Sequence, residues 1–189
     1  MKKIGLLVLA MIMALGALGV GYAAWTSSVN VSATVSTGTV QVGIKDAGGS
    51  TSTPTNGTEI ASSGYYNGLT YDTPLSYPGR VITYNTTVKN LGTLPVTLAA
   101  TGTSSGDFST IFAGATVSLS INGGVASTPI PFTTMASLTT ALDAALAGSL
   151  SAEATRGVKV IITLDPALDS AAQNKTTTFG LTVTGTQAP

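Results

Sequence analysis

The sequence predicts an all-β fold, a two-sheet antiparallel sandwich or jelly roll with one short helix and an extended N-terminal strand. Short segments in which apolar and polar residues alternate recur along the chain, and turn-forming residues separate them. One segment alone has helical spacing. The 189 residues contain no cysteine and no histidine, only 8% are charged, and the net charge is zero. Many short strands with a single helix are typical of two-sheet sandwiches.

The first 23 residues are predicted to be a secretion signal. Lys2 and Lys3 precede an apolar run over residues 4–20, and Gly21-Tyr22-Ala23 supplies small residues where a signal peptidase reads them. We predict cleavage after Ala23; cleavage after Ala24 would place Tyr22 where a small residue is wanted. A retained membrane helix is the alternative, because the run is long enough to span a bilayer. The mature chain is expected outside the cell or on its surface, and in contact with a membrane only during export.

Residues 24–38 are predicted to form an N-terminal strand with a hinge. From Trp25 to Ser36 the even positions are polar, and the apolar face consists of Trp25, Val29, Val31, Ala33 and Val35. The phase flips at Gly38, because the next apolar residues fall on even positions. Such a flip needs a bulge or a break, which glycine can supply. A free amphipathic strand is either tucked into its own sheet or donated to a neighbour.

The body, residues 39–189, is predicted as a single β-sandwich domain. Its first strand covers residues 40–44, and a loop-like tract follows over residues 47–75, in which three tyrosines suggest partial packing: Tyr65, Tyr66 and Tyr71. Alternation over residues 82–88 and 94–100, around the turn at 90–93, predicts a hairpin. Another strand covers residues 117–121 and ends at the turn signal Asn122-Gly123-Gly124.

The single predicted helix has leucines at every fourth position, Leu138, Leu142 and Leu146. Ser137 is its expected N-cap and Gly148 its expected C-terminal stop. Two strands, over residues 158–164 and 179–183, complete the domain. The order and spacing show no second domain and no internal repeat.

The composition argues against catalysis. Without histidine and cysteine, the chain lacks the usual general base, thiol nucleophile and common zinc ligands. Asp165 and Asp169 lie close in sequence beside a proline, which is more typical of a turn and cap than of a catalytic pair. Serine–lysine chemistry stays open, but no pair is marked. We therefore predict no enzyme activity, no cofactor, no metal site and, at zero net charge, no nucleic-acid partner.

Four Asn-X-Ser/Thr sequons are candidate N-glycosylation sites, at Asn30, Asn56, Asn85 and Asn174. They matter only if the host glycosylates its exported proteins. Asn30 lies on the polar face of the N-terminal strand, so a glycan there could point outward.

Several segments, in order, resemble the TasA/camelysin-like family of exported fibre subunits, which includes archaeal bundling pili. They are GVGYAAW, STGTVQVGI, YPGRVITYNTTVKNLGTLPVTL and the closing TTTFGLTVTGTQ. The resemblance implies a jelly roll whose mature N-terminal strand, residues 24–36, inserts into the next subunit by donor-strand complementation. The implied partner is the chain itself, in a head-to-tail filament of a pilus or biofilm matrix, with neighbouring filaments in bundles. Some relatives are classed as metallopeptidases, an activity that does not fit a chain without histidine.

Three other functions compete with a donor-strand fibre subunit. A type IV-like pilin would keep the apolar helix and be cleaved after Gly5. A monomeric surface adhesion or binding module would fold the N-terminal strand into its own sheet. An enzyme would need carboxylates that converge in a pocket.

Overall fold

A computed structural model describes residues 8, 11–13, 38–61, 63–73, 77–172 and 175–189. Residues 38–189 form one compact unit. Before it, Val8 and residues 11–13 are helical. In the described parts of the chain, no helix is both long and apolar enough to cross a membrane.

The compact unit contains two five-stranded antiparallel sheets. Sheet A has the strand order β1-β4-β9-β6-β7, with β1 Val42–Asp46, β4 Val81–Asn90, β9 Thr155–Thr163, β6 Thr116–Ile121 and β7 Ile130–Pro131. Sheet B has the order β2-β3-β10-β5-β8, with β2 Thr55–Asn56, β3 Leu69–Asp72, β10 Thr177–Gln187, β5 Val96–Gly106 and β8 Ser149–Leu150. The predicted all-β architecture with two antiparallel sheets is confirmed.

The core lies between the sheets because alternate residues of each long strand are buried. In β4, Ile82, Tyr84 and Val88 are almost fully buried, as period-two alternation predicts. Aromatic rings join the two layers: the ring centroids of Tyr71 and Tyr84 are 4.3 Å apart, and those of Tyr84 and Phe179 are 5.0 Å apart. Side chains from β3, β4 and β10 therefore fix the two sheets against each other.

The predicted hairpin over residues 82–100 is wrong. The two segments form β4 and β5, which belong to opposite sheets, so residues 91–95 cross the sandwich. The side chain of Asn90 holds this crossing: its Nδ2 donates to the carbonyls of Leu94 (2.8 Å) and Leu150 (3.0 Å), and its Oδ1 accepts from the amide of Gly92 (2.9 Å). A hairpin and a crossing have the same apolar alternation, so the pattern could not separate them.

The tract over residues 47–75 is more ordered than predicted. It contains β2 and β3, and β3 is bonded directly to β10. Tyr65 and Tyr71 are buried, as the tyrosine content suggested. The tract has so many turn-forming residues that the sequence pattern did not predict the four-residue strand β3.

The predicted helix is present as α2, Met135–Leu146, after a short helix α1, Phe108–Ile111, that was not predicted. Leu138, Leu142 and Leu146 are buried, as expected. The predicted N-cap is wrong: Thr134 caps the helix, and its Oγ1 accepts from the amide of Ser137 at 3.3 Å. Ser137 lies inside the first turn, since the leucine spacing marks the buried face and not the first residue.

The turn at Asn122-Gly123 is confirmed. Both residues have positive φ, 51° and 72°, and the amide of Gly124 donates to the carbonyl of Ile121 at 2.9 Å. This is the geometry of a tight hairpin turn, which favours Asn-Gly, and it joins β6 to β7.

Candidate strand-acceptor site

The residues predicted for the N-terminal strand lie outside the described residues, namely Trp25, Val29, Val31, Ala33 and Val35. The same is true of the predicted cleavage positions, Ala23 and Ala24. The predicted hinge, Gly38, is the first described residue of the compact unit.

The chain enters the body along the loop over residues 91–94. The amide of Thr39 donates to Oγ1 of Thr93 at 2.9 Å, and the carbonyl of Gln41 accepts from the amide of Leu91 at 2.8 Å. Gly38 lies against Leu94 so closely that a Cβ atom on Gly38 would overlap the leucine side chain. Gly38 thus has a packing reason to be glycine, and the loop fixes where the N-terminal segment leaves.

Strand β10 is much longer than the strand beside it. It pairs with β5 over its whole length, Thr177–Gln187, but with β3 only over residues 178–181. Before β3 the chain turns away: Tyr66 exchanges two 2.8 Å backbone hydrogen bonds with Ile44 of β1. Among the described residues, no strand pairs with the β3-side edge of β10 over residues 182–187.

The register shows which backbone groups face this edge. The carbonyl of Thr177 accepts from the amide of Thr73 beyond the end of β3, whereas the amide of Ala188 donates to Pro95 just before β5. Successive residues of a strand direct their backbone amides and carbonyls to opposite neighbours. The odd residues of β10 therefore direct these groups to the β3 side. The amides and carbonyls of Val183, Gly185 and Gln187 therefore point to the open edge.

The side chains at this edge have one apolar and one polar face. Val183 is buried between the sheets, and a Cβ atom on Gly185 would overlap Cγ2 of Val42 in sheet A. On the outer face, Thr182, Thr184 and Thr186 are exposed. A strand added here would need an apolar inner face and a polar outer face, which is the pattern of residues 25–36.

The open edge and the exit of the N-terminal segment lie at the same end of the sandwich. Gly38 contacts Leu94, and the next residue, Pro95, accepts the hydrogen bond from Ala188 at 2.9 Å. Fully extended, residues 24–36 reach about 40 Å, whereas the six-residue edge is about 20 Å long. The segment is long enough to fill an edge of this size.

The outer edge of β5, by contrast, is covered from Val96 to Gly102. Strand β8 pairs with its first two residues, and then the amide of Ala100 donates to Oδ1 of Asp143 in α2 at 2.6 Å. A Cβ atom on Gly102 would overlap the end of the Met135 side chain, so α2 packs directly on this strand. A carboxylate at a strand edge opposes pairing with another chain.

Asp165 and Asp169, which lie close together in the sequence, make local hydrogen bonds. Oδ1 of Asp165 accepts from the amide of Ala167 at 2.8 Å, which is the turn that the sequence suggested, and Asp169 Oδ1 accepts from Ser170. Within the described ranges, no three acidic, histidine or cysteine side chains lie close enough to hold a metal ion. Of the sequons, Asn56 and Asn85 are described, whereas Asn30 and Asn174 lie outside the described residues.

Two buried tyrosines have perturbed ionisation. Burial raises the pKa of Tyr71 to about 12, and its hydroxyl shares a 3.0 Å hydrogen bond with Oγ1 of Thr86. Burial also raises the pKa of Tyr84, and the nearby Ser52 hydroxyl lowers it by a smaller amount. Among the described residues, the Tyr84 hydroxyl makes no hydrogen bond of standard geometry. Both therefore stay neutral at physiological pH, and they belong to the core.

The sequence did not reveal the open edge. It predicted a strand only over residues 179–183, although Thr182, Thr184 and Thr186 continue the polar alternation to the end of β10. That alternation was the available signal for length, but nothing local marks where a neighbouring strand stops. No family model matches this chain, and a search of curated proteins returned no match.

Proposed function

We propose that this chain is the structural subunit of an extracellular pilus or biofilm-matrix fibre that polymerises by donor-strand complementation. Residues 24–36 of one subunit, with Gly38 as hinge, add a strand beside residues 182–187 of β10 in the next subunit. The main support is the unpaired edge of β10 together with a segment of matching alternation. In this proposal the body is a jelly roll: the chain passes from one sheet to the other between β3 and β4, β4 and β5, β5 and β6, and β9 and β10, and jelly rolls contain crossings of this kind.

Strand addition would satisfy backbone groups that the described body leaves unpaired. Val183, Gly185 and Gln187 each present one amide and one carbonyl to the open edge, and main-chain hydrogen bonds are the usual source of affinity in strand addition. Donor and acceptor lie at different places on the subunit, so the contact is heterologous. Such contacts need not close into a ring and can build open filaments.

Negative-stain electron microscopy of the mature chain tests this proposal. We expect filaments from the mature chain and none from a chain that lacks residues 24–36. Filaments from both would move assembly to another surface.

A matched pair of aspartate variants separates strand insertion from a general charge effect. Val31→Asp places a charge on the apolar face of the donor segment and should abolish filaments, because that face becomes buried. Ser32→Asp places the same charge on the polar face and should preserve them. Equal behaviour of the two variants would contradict insertion with the predicted face inward.

A monomeric surface module is the second candidate, because the N-terminal segment leaves the body at the end where the open edge lies. In that case the segment would fill the edge of its own subunit. Sedimentation of the mature chain as a monomer at every concentration would support this function over a fibre subunit.

Lateral bundling of the proposed fibres is favoured by a surface with few charges. It would appear as side-by-side filaments in the electron micrographs.

A further inference from the structure

Two glycosylation sequons lie in the described part of the chain, and their surroundings differ. One is Asn56-Gly57-Thr58, and the other is Asn85-Thr86-Thr87. An N-glycan requires a free asparagine amide in a segment that a transferase can reach. The structure therefore discriminates between two motifs that the sequence alone treats as equal.

The amide of Asn85 is engaged by the fold. Asn85 lies within β4, between β1 and β9, and its Nδ2 donates to the carbonyl of Gly48 at 3.0 Å. Its backbone amide donates to Oγ of Ser50 at 2.9 Å. The next residue, Thr86, is buried and bonded to Tyr71. Releasing this sequon would require opening sheet A.

The sequon at Asn56 lies at the surface. Asn56, Gly57 and Thr58 are all exposed. Asn56 ends β2, a two-residue strand at the edge of sheet B. Its side-chain amide and the hydroxyl of Thr58 make no hydrogen bond to any residue that the structure describes. The backbone of the sequon is held by residues 67 and 68. The amide of Gly57 donates to the carbonyl of Gly68 at 2.9 Å, the amide of Thr58 donates to Oδ1 of Asn67 at 2.9 Å, and the carbonyl of Thr58 accepts from the amide of Asn67 at 3.0 Å.

We propose that Asn56 is an N-glycosylation site and that Asn85 is not modified in the folded protein. The donor would be an oligosaccharide linked to a polyprenyl phosphate or diphosphate. Nδ2 of Asn56 forms a bond to the anomeric carbon while the bond from that carbon to the phosphate oxygen breaks. The lipid phosphate leaves with the bonding pair, and one amide proton passes to a base of the transferase.

A glycan at this position would also protect an edge. Strand β2 is the outermost strand of sheet B on the side opposite α2, and exposed edges invite pairing with other chains. A bulky hydrophilic group on Asn56 would block pairing at β2. If the proposed polymerisation holds, the glycan would leave the edge of β10 as the place for strand addition.

Mass spectrometry of the protein exported by its own cells tests the site. Trypsin cleaves after Lys45, Arg80 and Lys89, so one peptide, residues 46–80, contains Asn56, and another, residues 81–89, contains Asn85. We expect the first peptide to carry an oligosaccharide mass and the second to have the mass of its bare sequence. A bare peptide 46–80, or sugar on peptide 81–89, would overturn the proposal.

Two threonine variants identify the linkage, because peptide 46–80 also contains many hydroxyl groups. Thr58→Ala destroys the sequon of Asn56 without changing the asparagine, and should remove the sugar completely. Thr87→Ala makes the same change at the sequon of Asn85 and should leave both peptide masses otherwise unaltered. Sugar that persists on peptide 46–80 in Thr58→Ala would show attachment elsewhere and would refute modification of Asn56. The masses are read independently of filament formation, so failure of either proposal is recognisable by itself.

Discussion

Strands β5 and β10 are neighbours in sheet B, and both extend beyond their outer partners. Strand β5 has 11 residues and pairs with only two residues of β8; β10 also has 11 residues and pairs with only four residues of β3. Helix α2 covers the outer edge of β5 at Ala100 and Gly102, and Asp143 accepts the hydrogen bond of the Ala100 amide. No described residue pairs with the corresponding edge of β10 over residues 182–187.

The difference shows that the tertiary fold determines which of two similar strands has an exposed edge. A sheet edge invites association with other chains, and this molecule blocks one edge with a buried leucine face and a carboxylate. The other edge has a threonine at every second position and no charged side chain within residues 182–187. The following predictions test this contrast, from the largest expected effect to the smallest.

Cysteine cross-linking should distinguish the edge of β10 from the edge of β5, because covalent oligomers should form at β10 and not at β5. The chain has no native cysteine, so introduced pairs report contacts cleanly. Ser32→Cys combined with Thr184→Cys should give a ladder of covalent oligomers on a non-reducing gel, because opposite residues on one face of paired strands lie about 5 Å apart. Asn30→Cys and Thr34→Cys cover neighbouring registers.

The matched control places the acceptor cysteine at Thr101, an exposed residue of β5. Ser32→Cys combined with Thr101→Cys should remain monomeric on the same gel. A ladder from this pair and none from Thr184→Cys in any register would assign the acceptor to β5 and break the comparison.

Helix α2 should depend on its buried leucines. Leu142→Ala removes a side chain that is 1% exposed, which costs about 2–5 kcal/mol in the free energy of unfolding. Chemical denaturation of the body measures this loss. Ala144→Ser, at an exposed position of the same helix, should change the free energy by less than about 0.5 kcal/mol. Similar losses of unfolding free energy in both variants would mean that the buried leucines do not hold α2 against β5.

High pH should weaken the half of β10 that β3 covers. The unfolded chain loses the tyrosine proton near pH 10, whereas folded Tyr71 holds its proton until about pH 12. The folded state therefore binds more protons between these values, and stability falls as pH rises. The loss from Tyr71 alone is about 2 kcal/mol by pH 12. Stability measured from pH 8 to 12 should be flat below pH 9 and decline above pH 10.

Two phenylalanine variants separate the tyrosines at neutral pH. Tyr71→Phe leaves the buried Oγ1 of Thr86 without its partner and should cost about 1–3 kcal/mol. Tyr84→Phe removes a hydroxyl that lies near Ser52 but makes no hydrogen bond of standard geometry to a described residue, and it should be neutral or stabilising. The opposite ranking would contradict the hydrogen-bond assignment in this cluster.

Loss of the carboxylate at the β5 edge should have a small effect on stability. Asp143→Ala removes the acceptor of the Ala100 amide and should cost about 1 kcal/mol, because Asp143 is exposed and water can replace it. The same variant should increase disordered aggregation, since it uncovers part of an edge. Light scattering against Asp107→Ala, which loses only an exposed ion pair with Lys175, measures that increase. Equal scattering would show that Asp143 does not protect the edge.

The sequence alone determined the local features of this protein. Alternation identified the long strands, leucine spacing identified α2, and Asn122-Gly123 identified a hairpin turn, because each depends on residues close together in the chain. Only the tertiary structure decided that β4 and β5 lie in opposite sheets and that β3 forms within a turn-rich tract. It also decided that β10 extends beyond the end of β3. Strand pairing joins residues far apart in the chain, such as Thr178 with Asp72 and with Ser105. An edge is open where no neighbouring strand pairs with it. The residues of the strand itself do not determine where its neighbour ends.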